Sequence, residues 1–76
     1  MKPKFKIGDL VRVKKSSSLN PVLRFFWNKI GLIASLVSET QRNGEVYMRE
    51  YKVIFYDGRY AKFKDYELVL VASIDD

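Results

Sequence analysis

The side chains able to do chemistry in this chain are carboxylates, cations, rings and hydroxyls, and they fall where binding needs them rather than where bond-making does. Its 76 residues include no cysteine and no histidine. That removes disulfides, thiolate metal sites, Cys and His nucleophile-base pairs and the usual near-neutral proton carrier. Among the carboxylates, Asp9 and Asp57 sit beside turn glycines, Asp65 and Glu67 belong to a short corner, and Glu39, Glu45 and Glu50 surround a polar hairpin. None has the spacing of an acid-base pair or a metal cage. The expectation is a non-catalytic protein with no cofactor and no metal; an enzymatic role would need a cofactor or a partner subunit to bring the missing chemistry. Ser16, Ser17 and Ser18, next to Lys14 and Lys15, offer either a modifiable, phosphate-binding loop or a plain solvated one.

Rings and cations are the more informative groups. Phe25, Phe26 and Trp27 form the densest aromatic cluster. Three consecutive large rings cannot all enter one small core, so at least one is expected at the surface as an anchor; the other reading makes the loop a lid over its own barrel end. Tyr56, Arg59, Tyr60 and Lys62 gather around a second turn. Rings interleaved with cations suit bases and phosphates, a protein surface, or ordinary cross-strand pairing. A cage for methylated side chains would need several converging outer rings, and alternation turns two of the candidates, Tyr51 and Phe55, inward.

Those groups need elements to hold them. A 76-residue chain makes one domain at most. At 47% hydrophobic and 14% aromatic it is too apolar to remain disordered. The net charge of +5 is concentrated at the start, where Lys2, Lys4, Lys6, Arg12, Lys14 and Lys15 face Asp9 alone. Such a cluster steers phosphates or acidic surfaces towards itself, or simply protects a strand edge. The longest apolar stretch, GLIASLV at 31–37, is far shorter than a membrane span, and no apolar signal core follows the basic start. The chain is expected to be soluble, intracellular and cytoplasmic, without membrane insertion.

Alternation of apolar and polar residues predicts strands at 10–13, 32–37, 46–56, 60–64 and 68–71. In the first, Val11 and Val13 share a face, with Ile7 or Phe5 behind them. The second is apolar on both faces, so it is either well buried or bulged. Tyr51, Val53 and Phe55 of the third, with Ala61 and Phe63 of the fourth, point inward; Lys52, Ile54, Tyr56, Tyr60, Lys62 and Lys64 point outward. Asn43-Gly44 and Asp57-Gly58 are tight-turn pairs, and the sequence KDYE at 64–67 suits a single tight turn. Asn20-Pro21 reads as a cap and first position of a short helical turn within the long first loop. Residues 72–76 read as a frayed acidic tail. The sum is an all-β, five-stranded SH3-like small barrel in one domain over 1–76, in preference to a longer-stranded oligonucleotide-binding barrel.

The segments FKIGDLVRV at 5–13, GLI at 31–33 and YKVIF at 51–55, with Phe63, Glu67, Leu68 and Val71, resemble the SH3-like small-barrel superfamily, including KOW and Tudor-type modules. The resemblance spans nearly the whole chain and rests on turn glycines and inward apolar residues, which specify a barrel more than a partner. Trp27 to Ser35, the Tyr51 strand and Glu67-Leu68 are similar to photosystem I reaction-centre subunit IV, a barrel that helps dock ferredoxin. This chain has the short Asp57-Gly58 turn where that family has an asparagine-rich loop, and its first loop is longer. Residues 37–71 resemble the variable chain of ferredoxin:thioredoxin reductase. The Gly-Asp-x-Val-x-Val phrase is similar to that of small uncharacterised bacteriophage proteins.

Each resemblance implies an accessory binding role. The leading expectation is docking onto a protein partner or larger assembly through Phe25, Phe26, Trp27, Tyr56, Arg59, Tyr60 and Lys62, with Lys14 and Lys15 contacting phosphate or an acidic surface. A phage origin, as a virion component or host-directed factor, is compatible with it. The alternative is a KOW-like nucleic-acid module, with Lys14, Lys15, Arg59 and Lys62 on phosphates and Tyr56 or Tyr60 on bases.

Overall fold

A computed structural model describes residues 4–15 and 21–73. Among them, five antiparallel strands form one sheet: β1 Leu10–Val13, β2 Ile30–Arg42, β3 Glu45–Phe55, β4 Tyr60–Lys64 and β5 Leu68–Ala72. Their order is β4-β3-β2-β1-β5, so the sheet is open and β4 and β5 are its two edges. A single helical turn, α1 Pro21–Arg24, follows β1, and a 3-10 turn, Asp65–Glu67, joins β4 to β5. The expected all-β class, strand count, helical turn and corner are all present. The Asn20 cap, the serine run at 16–18 and residues 74–76 of the expected tail lie outside the described residues.

Alternation places the core. Val11, Val13, Ile33, Tyr51, Val53, Phe55, Phe63 and Leu68 face one side and are buried, and Phe5 and Phe26 cover them from outside the sheet. Phe5, not Ile7, backs the valines of β1: Phe5 is 2% exposed and Ile7 67%. The ring of Phe5 meets Tyr51 edge-on at 5.5 Å, and Phe26 stacks on Phe55 at 4.5 Å.

The second strand is much longer than its apolar run. Pairing with β3 carries it to Arg42 through three register shifts, one at Thr40/Gln41 where β3 has the extra residue and two, at Ile33/Ser35 and Leu36/Ser38, within or beside the apolar run. Each of the latter two sets two β2 residues against one on β3, which bends the strand around the core. The bulged reading of 32–37 therefore holds and the doubly buried one does not: Leu32, Leu36 and Val37 are exposed. At Gly31 a methyl group would lie 2.6 Å from Val53 Cγ1 and 2.8 Å from the Ile54 carbonyl oxygen, so the inward face has no room for a side chain. Both expected hairpins form, with Asn43 at φ 54° and Gly44 at φ 81° in one, and Gly58 at φ 88° in the other.

Two buried carboxylates tie the ends of the sheet together. Asp9 accepts the Lys6 N–H at 2.9 Å and the Ser73 hydroxyl at 3.0 Å, while its own carbonyl accepts the Ile33 N–H at 2.9 Å. Glu67 accepts the Lys64 N–H at 2.8 Å, closing the 3-10 turn, and its carbonyl accepts the Lys14 N–H at 2.9 Å. The tail consequently starts later than expected: Ala72 ends β5, and Ser73 is held by Asp9.

Candidate binding face

The registers arrange the outward residues in rows that cross the strands. Tyr60 lies opposite Ile54, Ile54 opposite Leu32, and Leu32 opposite Leu10. Paired residues project to the same side of a sheet, so these four make one apolar row from β4 to β1. On one side the next row holds Lys62 and Lys52, two residues along β4 and β3, opposite Ser35 beyond the first β2 bulge; on the other, two residues along β2 and β1, come Ile30 and Arg12. Ile30, Leu32 and Ile54 are each at least 40% exposed. Together with Leu10, Gly31, Phe55 and Tyr56 they line a trough of about 500 Å³. A second hollow of about 260 Å³, lined by Lys29, Ile30, Phe55, Tyr56 and Asp57, shares three residues with it and continues it to the hairpin end.

Rings and cations frame this floor. Tyr60 is exposed and has Lys52 Nζ 4.4 Å from its ring centre. Tyr56, at the end of the trough, is fully exposed. Phe25 from the first loop has Lys29 Nζ at 4.6 Å and Arg59 Cζ at 4.5 Å from its centre. Loop and hairpin are thus brought together around one ring. Arg59 is oriented by Asp57, whose carboxylate lies 3.4 Å from its Nε and accepts its backbone N–H at 3.0 Å.

The three adjacent rings have three different places. Phe25 is 50% exposed and belongs to the face; Phe26 is 6% exposed and belongs to the core. The expectation that Phe26 forms part of a contact surface is therefore corrected. Its ring packs against both Phe55 and Phe63, and the apolar area it buries there outweighs anything a surface site offers. Trp27 is half-buried against the core, with the Arg24 guanidinium 5.7 Å from its ring. Its indole Nε1 is buried with no hydrogen-bond partner among the described residues. Lys15 is exposed; Lys14 is half-buried, and its backbone is fixed to the 3-10 turn. Lys62 is exposed opposite Lys52.

Alternation assigns Lys52 and Ile54 to the outward set, but neither they nor Leu10, Lys29, Ile30 and Leu32 are expected as contact residues. The available signal was the run apolar on both faces: one of its faces had to be outside. Elsewhere, Arg49 is buried and paired with Glu39 at 2.8 Å, so the β2–β3 hairpin is held by an ion pair. No group of three or more potential metal-binding side chains converges among the described residues. No helix among them is long and apolar enough to cross a membrane. Comparison with protein-family models, curated proteins and solved structures gives no match to this chain.

Proposed function

We propose that this chain is a small SH3-like barrel acting as a non-catalytic docking module, and that it binds a protein partner through the outer face of its sheet. The strand order, with β5 returning beside β1 after a 3-10 turn, and the long loop between β1 and β2 support the barrel reading. One observation carries the docking reading: the continuous row Tyr60, Ile54, Leu32 and Leu10, apolar, outward and framed by cations. Isolated exposed apolar residues need no explanation, but a contiguous trough of them with a polar rim has the anatomy of an interface.

Nucleic-acid binding is the second reading, favoured by the fully exposed Tyr56 ring near Arg59. It is weaker for a physical reason. Bases stack on open ring faces, whereas Tyr60 and Phe25 already hold cations at 4.4 to 4.6 Å. The aliphatic floor, moreover, gains nothing from a phosphate-sugar strand.

Selection of a displayed random-peptide library on the whole chain, with counter-selection on the Ile54→Asp variant, tests the docking reading. Ile54 is 40% exposed in a central strand, so amide spectra of the variant must first show that it keeps the fold. Peptides that bind the parent and not the variant are the expected result. Enriched peptides indifferent to Ile54→Asp would contradict this face as the docking surface.

A further inference from the structure

The outer face has a sign as well as an apolar floor. The three rows over the trough contain Lys62, Lys52 and Arg12 and no carboxylate; one row further along, Glu50 stands opposite Lys64. At the hairpin end stand Lys29 and Arg59, and the one carboxylate lining the hollow there, Asp57, is already engaged by Arg59. A ligand covering the trough matches it best with apolar groups along its middle and negative charge along both margins, where it meets Lys62, Lys52 and Arg12.

Geometry narrows the shape of that ligand. Neighbouring strands are about 4.8 Å apart, and residues three or four apart on a helix are about 5 to 6 Å apart. The apolar stripe of a helix laid across β3, β2 and β1 therefore steps nearly in time with Ile54, Leu32 and Leu10. An extended peptide repeats a face only every 6.5 to 7 Å or so and falls out of step. The cationic rows lie about the same 6.5 to 7 Å to either side of the apolar row, where the flanks of such a helix project.

We infer that the occupant is an acidic amphipathic helix of a protein partner, with its aliphatic stripe on Leu10, Leu32 and Ile54 and its carboxylates on Lys52, Lys62 and Arg12. This rests on the docking reading above and adds the partner's chemistry to it. The cations set on-rate and the partner's sign, and reversing them turns attraction into repulsion; the trough supplies most of the affinity.

The probe is a synthetic helix of about 15 residues, with leucines at i, i+4, i+7 and i+11 and glutamates on both flanks. Its controls are a scrambled peptide of the same composition and a helix with lysine in place of glutamate. Calorimetry against the whole chain should show saturable binding of the acidic helix alone. Leu32→Asp should weaken it by at least about tenfold. The double variant Lys52→Glu, Lys62→Glu should weaken it comparably and gain binding of the lysine helix. All three positions are on the outer face, and amide spectra of the variants will confirm their fold.

Failure of the acidic helix to bind overturns the inference, as does equal binding of the scrambled peptide. Preference for the lysine helix by the parent chain, lost in Leu32→Asp, overturns the acidic partner and leaves the docking reading standing. Binding of neither helix, together with saturable oligonucleotide binding at physiological salt, overturns both.

Discussion

Phe25, Phe26 and Trp27 show how much a single residue's surroundings decide. The three are adjacent and chemically alike, yet one is a surface ring between two cations, one is core, and one is a half-buried indole whose N–H has no partner among the described residues. No periodicity in an irregular loop separates such neighbours, so the sequence could say that at least one must be outside but not which. Phe26→Ala should cost about 3 to 5 kcal/mol. That is a large fraction of the roughly 4 to 11 kcal/mol expected for a domain this size. Phe25→Ala should cost under about 1 kcal/mol, the scale of an exposed cation–ring contact. Urea unfolding of the two variants checks the contrast, and equal costs would contradict the placement of the rings. Tyr51 supplies a pH signature. Burial raises its phenol above the usual value of 10.0, opposed by the Phe5 N–H, a long 3.5 Å donor, and by the charge of Arg49. Because the folded value lies above the unfolded one, the stability it contributes is complete below about pH 10 and is lost as pH rises through the folded value. Urea midpoints should therefore fall above about pH 10 in the parent chain and fall less in Tyr51→Phe; identical alkaline losses in both would remove Tyr51 from this role.

Among the elements, β3 and β4 were legible almost residue by residue. Their strict alternation separates Tyr51, Val53, Phe55 and Phe63 from Lys52, Ile54, Tyr60 and Lys62, and the burial pattern repeats that division. Both hairpins were legible for an equally local reason, since Asn-Gly and Asp-Gly pairs tolerate positive φ and other pairs resist it. The second strand was not, because its length depends on what pairs with it. Ser38, Glu39, Thr40 and Gln41 carry no strand signal, and β3 recruits them across the hairpin, with Arg49 holding Glu39 at 2.8 Å. Nor did the sequence reveal that Asp9 and Glu67 are buried clamps rather than surface turn residues, since a turn carboxylate reads the same in either place. Gly31 marks where β2 passes over the core. Gly31→Ala would force a methyl group to 2.6 Å from Val53 Cγ1 and against the backbone of β3. The expected cost is about 1 to 3 kcal/mol, read as a lower thermal midpoint. An unchanged midpoint would mean that β2 and β3 are not packed as closely as described.

At the scale of the whole molecule, the net charge of +5 is carried by the first 15 residues, and Arg12 belongs both to that cluster and to the outer face. The concentration of cations at the N-terminus was visible in the sequence. The cationic margins of the outer face were not, because Arg12, Lys29, Lys52, Arg59 and Lys62 are scattered along the chain and meet only through the strand registers and the first loop. If the outer face docks a protein as proposed, ionic strength should slow association and weaken binding modestly, while the apolar row retains most of the affinity. Nucleic-acid binding would differ in kind, with affinity itself falling steeply and linearly in the logarithm of salt concentration. The measurement that separates these most directly follows backbone amide shifts of the isotope-labelled chain. It is titrated in parallel with a library-selected peptide and with a short mixed RNA and DNA pool, at low and at physiological salt. Saturable shifts at Leu10, Leu32, Ile54 and Tyr60 are expected with the peptide at both salts, and none with the oligonucleotides at physiological salt. Saturable oligonucleotide shifts at Tyr56, Arg59 and Lys62 under physiological salt, with the peptide leaving the outer face unmoved, would contradict protein docking through this face.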